Sequence, residues 1–218
     1  MNDVIGNALL LSEEEFTVLV CVKENTSFVG YDLSERSLDI ERRFMGINSL
    51  VRRKILYKTN EEYHISAEYQ MLIKAVNNAR NCFVISEGDG IVYCAQGYTL
   101  VRRIEADPVR YSLAQVTAES LAQILIDEAY LPENEEYEFM TCEIETKDQL
   151  EQVLRESGNE YFSISQYGSE NRIVVVRLGL CMTCVLMHEN RVEARPFSKH
   201  GFTEMLKELF EGEKNDNN

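Results

Sequence analysis

The sequence predicts an α+β fold in two similar halves, and three observations carry that prediction. Amphipathic helical faces alternate with apolar, β-branched runs of strand length. Turn-forming residues punctuate the chain between them. Capping residues recur at a fixed offset, since Thr117 and Ser198, each ahead of a helical face, stand 81 positions apart. The expected architecture is a pseudo-twofold repeat of helix, antiparallel β-meander and helix, preceded by a winged-helix-like N-terminal segment.

Ser12 and Glu15 stand in capping-box spacing ahead of Phe16-Thr-Val-Leu-Val-Cys-Val, which is apolar on all sides, so a buried helix is expected from Ser12 to Glu24. From Asp39 to Lys54, Ile40, Phe44, Ile47, Leu50 and Val51 fall at helical spacing, and Ile55 to Ile65 reads as a hairpin turning at Thr59 to Glu62. Helix, helix, hairpin is the order of a winged helix. A third helix, Ser66 to Arg80, presents Tyr69, Leu72, Ile73 and Val76, and a strand follows near Cys82 to Ser86. The turn Glu87-Gly-Asp-Gly90 contains Asp-Gly, favoured because both central positions of a type I′ turn need positive φ. Strands at Ile91 to Gln96 and Tyr98 to Glu105 complete a meander. Beyond Asp107-Pro108, a short strand around Tyr111 leads to a helix capped by Thr117 with Leu121, Ile124, Leu125 and Glu128 on its face.

The pattern then starts again. Thr146 and Gln149 form a second capping box, and the helix to Ser157 carries Leu150, Val153 and Leu154. Strands are expected at Tyr161 to Gln166, Arg172 to Leu178 and Leu180 to Met187, then a turn at His188 to Arg191, a short strand to Pro196, and a helix from Ser198 to Glu211 with Phe202, Met205, Leu206 and Leu209 on one side. At the same offset Glu87 matches Gly168, and Leu121, Ile124 and Leu125 match Phe202, Met205 and Leu206. The repeat rests on this order of elements rather than on residue identity. The N-terminal half spans 1–131 and the C-terminal half 132–218, forming one compact unit. Asp127 to Glu145 holds eight acidic residues and no Lys or Arg, as a solvated loop would.

The net charge of -15 predicts self-repulsion and a poor match to nucleic acid phosphates or anionic membranes. The N-terminus lacks the basic, apolar pattern of a secretory signal, and the longest apolar stretch, Ile173 to Met187, is broken by Arg177, Gly179 and Thr183 and falls short of the roughly 20 residues a bilayer needs. A cytoplasmic protein without membrane insertion is expected. Its cysteines, Cys21, Cys82, Cys94, Cys142, Cys181 and Cys184, sit mostly in apolar runs and read as reduced core thiols.

No constellation reads as catalytic, and no metal or cofactor is expected. Cys181 and Cys184 lie at odd spacing in a strand, which points them to opposite faces, and no second Cys/His pair completes a zinc site. His64, His188 and His200 are scattered. Gly88-Asp-Gly90 lacks the Lys-Ser/Thr of a phosphate loop. Residues 36–58 hold a local basic excess (Arg36, Arg42, Arg43, Arg52, Arg53, Lys54 and Lys58) that could track DNA phosphates from the winged-helix-like segment. Pairing of those arginines with the acidic remainder is the plainer reading. From Ile173 to Met187 both alternating sets of residues are largely apolar, so both strand faces must be covered by the protein's own helices, by its other half, or by a partner.

Ala8-Leu-Leu-Leu-Ser-Glu-Glu-Glu-Phe, Ser49-Leu-Val-Arg-Arg-Lys-Ile-Leu and Tyr63-His-Ile-Ser, continuing through the helix and meander from Ala67 to Glu105 and the helix from Thr117 to Tyr130, carry a family likeness. The arrangement resembles the EspG-type chaperones of type VII (ESX) secretion systems and their EsaE-like relatives in Firmicutes. The resemblance covers most of residues 8–131, with the second half similar in layout only. It implies a pseudo-twofold, non-enzymatic, protein-binding fold that holds the tip of a secreted helical-hairpin client soluble in the cytosol and delivers it to the membrane secretion ATPase. It also implies that the client docks on sheet strands and the C-terminal helix, which makes Arg177, Cys181, Thr183, Val185, Phe202 and Met205 candidate protein-binding residues. A winged-helix DNA-binding regulator and an unrecognised enzyme stand as the alternatives. Client identity and oligomeric state are not legible in the sequence.

Overall fold

A computed structural model of the chain describes residues 8–20, 39–79, 81–86, 90–95, 97–129, 144–157, 160–178, 181–188 and 191–211. The fold is α+β, with six helices among the described residues and antiparallel sheet. In order it runs β1 (Leu9–Ser12), α1 (Glu13–Val20), α2 (Ile40–Arg52), β2 (Leu56–Thr59), β3 (Glu62–Ile65), α3 (Ala67–Asn77), β4 (Asn81–Ile85), β5 (Gly90–Ala95), β6 (Gly97–Ile104), β7 (Arg110–Val116), α4 (Ala118–Glu128), α5 (Lys147–Ser157), β8 (Glu160–Gln166), β9 (Arg172–Leu178), β10 (Cys181–His188), β11 (Arg191–Pro196) and α6 (Lys199–Glu211). It divides into two compact units, residues 1–82 with 89–115, and residues 83–88 with 116–218. The expected division was at 131; α4 instead packs with α6 in the second unit.

In the first unit the expected helix begins one residue late, because Leu9–Ser12 is claimed by a strand. Leu9 and Leu11 pair with Leu113 and Tyr111 of β7 and are buried, while Leu10 between them points outward, the alternation of a half-covered strand. Ser12 and Glu15 then close the capping box. The Ser12 amide donates to Glu15 Oε2 at 2.9 Å and the Glu15 amide to Ser12 Oγ at 3.3 Å. Phe16 stacks on Tyr111 at 4.2 Å, and the Asn77 amide group of α3 donates to the Leu19 carbonyl, fixing α1 against both neighbours. Asp39 caps α2 through the Arg42 amide at 2.7 Å. The hairpin β2–β3 turns at Asn60 and Glu61, both at positive φ, as a two-residue turn requires.

In the second unit the strands run in the order β4-β8-β9-β10-β11, antiparallel along the paired registers. Thr146 and Gln149 cap α5 reciprocally, and Thr117 and Ser120 do the same for α4. Helix α5 sets Leu150, with Val153 and Leu154, on Val174, Val176, Val185 and Met187. The opposite face is covered by α6. Phe162 stands beside Val175, which pairs with Cys184, and its ring meets Phe202 edge-on at 5.4 Å. Both faces of β9 and β10 are thus covered by the unit's own helices, which answers the question their unbroken apolarity raised. Of the face expected for α4, Leu121 and Leu125 are buried, but Glu128 is exposed and Ile126 takes the inward position. The turn at residues 87–89 and most of the acidic run, 130–143, lie outside the described residues.

Candidate protein-binding surfaces

The six residues that the family resemblance singles out do not form one surface. Arg177 is exposed near the end of β9. Thr183 and Val185 are buried; Val185 belongs to the cluster beneath α5, and Thr183 pairs with Val176 of the same cluster. Phe202 and Met205 are buried as well, facing the sheet from α6. Cys181 opens β10 opposite Leu178, and its side chain lies outside the described residues. A client could reach Thr183, Val185, Phe202 or Met205 only if a helix lifted away. The physical reason is the one above: a strand pair apolar on both faces needs two covers, and α5 and α6 supply them. The hydroxyl of Thr183 has no hydrogen-bond partner among the described residues. Burial likewise pushes the Cys184 thiol well above its ordinary range, with the Arg195 charge pulling weakly the other way, so it sits as a neutral core group.

A groove in the second unit, between β10, β11 and α6, is lined largely by charged side chains that pair with one another. Arg195 reaches Glu193 and also Glu208 at 3.2 Å, Arg191 reaches Glu193 at 2.8 Å, and Lys207 bridges Glu204 at 3.0 Å and Glu119 of α4 at 2.8 Å. These contacts tie helix to strand and helix to helix. Saturated pairs of this kind leave little charge for a ligand.

The first unit presents a different surface. Ile40, Phe44, Ile47, Leu50 and Val51 fall at helical spacing along α2, but only Leu50 of these is buried, together with Gly46, and Ile47 is half-buried. Ile40 is 90% exposed, Phe44 63%, Met45 61% and Val51 38%. Two features turn the helix this way. A Cβ at Gly46 would stand 2.9 Å from the Glu14 carbonyl oxygen, so glycine alone permits this approach of α1 and α2. Arg42 and Arg53 then bind α1 from that side: Arg42 meets Glu14 at 2.6 Å and Glu13 at 3.1 Å, and Arg53 meets the buried Glu15 at 2.5 Å. Burial opposes ionisation of Glu14, yet the Arg42 guanidinium and nearby donors outweigh it and hold the carboxyl below its usual range. The α1–α2 contact therefore adds charge pairs and close backbone approach to the burial of Leu50 in the core cluster of Phe16 and Leu19, and the rest of the apolar stripe is left outside or half-covered. Tyr57 and Tyr63 of the hairpin and Met71 of α3 add exposed apolar area in the same unit. Single exposed apolar residues are ordinary, whereas large contiguous apolar patches are uncommon on a monomer's surface. The signal was present in the sequence as Gly46 amid the apolar positions.

The same contacts bear on the basic excess of residues 36–58. Arg42 and Arg53 are spent on Glu13, Glu14 and Glu15, while Arg43, Arg52, Lys54 and Lys58 remain exposed and Arg36 lies outside the described residues.

The chain is thus an α+β protein with an exposed apolar stripe on α2. No family model matches it, and no curated protein matches it in sequence at a significant level. Its fold is similar to that of the type VII secretion system chaperone EspG5 of Mycobacterium tuberculosis, solved in complex with the PE25–PPE41 dimer, with a TM-score of 0.52 over 94% of this chain and 96% of that one. Identity between the two is 8%, so the likeness is one of fold. Among the described residues no helix is long and apolar enough to cross a membrane.

Proposed function

We propose that the chain is a cytosolic, non-catalytic chaperone or adaptor of a type VII-like secretion pathway, which binds a secreted helical client, keeps it soluble and hands it to the membrane secretion ATPase. The observation that carries this reading is the fold it shares, end to end, with a chaperone solved in complex with a PE–PPE dimer. The recurring order of α3, four strands and α4, then α5, four strands and α6, supports an internal duplication like the pseudo-twofold repeat the resemblance implies. An exposed apolar stripe in a strongly acidic chain supports a protein partner over nucleic acid. The winged-helix alternative loses two of its arginines to Glu13, Glu14 and Glu15. Co-expression with helical secreted proteins of the same genome, followed by gel filtration, tests the proposal. A stable complex and a rise in soluble client support it, and failure to bind or solubilise any of them overturns it.

A further inference from the structure

We propose that the outward stripe of α2 is a self-association face, on which a second copy of this chain seats its own α2 in antiparallel orientation. Ile40, Phe44, Ile47 and Val51 follow the i, i+4, i+7, i+11 spacing by which one helix presents a seam to another. The flank of that seam decides the partner. Glu41 and Arg52 stand on the same edge, eleven residues and so about 16 Å apart along the axis, both exposed and neither in an ion pair among the described residues. Reversing one α2 against another, with Ile40 opposite Val51 and Phe44 opposite Ile47, brings Glu41 of each copy within about one turn of Arg52 of the other. A twofold axis therefore satisfies both charges twice, as an isologous contact does. A partner helix of one sign of charge would be repelled at one end of the same edge.

Four stripe residues and their flanks present less than the roughly 800 Å² per partner of a standard stable interface, so the dimer is weak and forms at high micromolar concentration. This inference does not depend on the secretion reading.

Sedimentation velocity of the full chain over about 10 to 500 µM tests it. The expected result is a weight-average mass rising from 25.1 kDa toward twice that value. Phe44→Asp should hold the chain monomeric, and Glu41→Arg or Arg52→Glu alone should each weaken association about fivefold or more. The double variant E41R/R52E re-forms the pairs with reversed signs and should recover wild-type association. All three substituted positions are exposed, and unchanged circular dichroism shows that the variants fold. A monomer throughout the range, as expected if the stripe serves a different protein, overturns the proposal. So does association indifferent to the single swaps, or a double variant no better than either of them.

Discussion

Glu15 does the work of several residues. Its buried carboxylate accepts from the Ser12 amide at 2.9 Å, from Ser49 Oγ at 2.7 Å and from Arg53 Nη1 at 2.5 Å, so one side chain caps α1 and pins α2 to it. Glu15→Ala leaves the Ser49 hydroxyl and Arg53 Nη1 without this acceptor, while Arg53 Nη2 keeps the Leu10 carbonyl. The expected loss is about 2–3 kcal/mol, below that of a fully buried pair because Arg53 is partly solvated, and it is read from the urea midpoint. The capping half of this role was legible in the sequence as Ser12 and Glu15 three apart, but Ser49 and Arg53 are joined to it only by the tertiary fold. In the second unit, a hydrogen bond from Lys207 draws Glu119 down to about 2 from its ordinary 4.5. A carboxyl whose folded value is depressed stabilises the fold above its unfolded value and loses that contribution as pH falls through the folded one. The stability difference between the wild type and Glu119→Gln should therefore be steady above pH 4.5 and shrink between 4.5 and about 2, as urea midpoints at a series of pH values would show.

Helix α2 shows what sequence patterning can and cannot fix. Its start at Asp39 and its end near Lys54 were legible, because a cap and a hairpin bound it. Its inward face was not: the apolar residues at 40, 44, 47, 50 and 51 span about 120°, the usual width of a core-facing stripe, yet only Leu50 at the edge of that arc is buried. The choice was made by Gly46 and by two arginines reaching acids on α1. Gly46→Ala should separate α1 from α2 and cost about 1–3 kcal/mol, measured as a lower Tm. At the other end, Lys54 holds φ 61 while its amide donates to the Val51 carbonyl and that of Ile55 to Leu50, a helix stop in which glycine is usual. Lys54→Gly should raise stability by about 0.5–1 kcal/mol, and an unchanged or lower urea midpoint would count against this reading of the stop. The strand β1 was missed because four residues beside a capping box carry almost no periodic signal.

Across the whole molecule, the order of helices, hairpin and meanders was readable from caps, turns and apolar spacing, and the sequence resemblance to EspG-type chaperones agrees with the fold similarity seen in three dimensions. Tertiary assignment was less legible. Helix α4 belongs with α6, and the doubly apolar strands β9 and β10 are covered by α5 and α6, leaving Thr183, Val185, Phe202 and Met205 in the core. A run of apolar residues reports that both faces are covered without saying by what. Phe202→Ala should consequently act on stability, at about 3–5 kcal/mol, while Phe44→Asp on α2 should leave the fold intact. The most direct measurement of the functional proposal is the soluble yield of secreted helical-hairpin proteins from the same genome, each expressed with and without this chain and then resolved by gel filtration with light scattering. A client that is soluble only in the chain's presence and elutes with it as a defined complex is the predicted result. Clients whose solubility is unchanged, with the chain eluting alone beside every one of them, would contradict it.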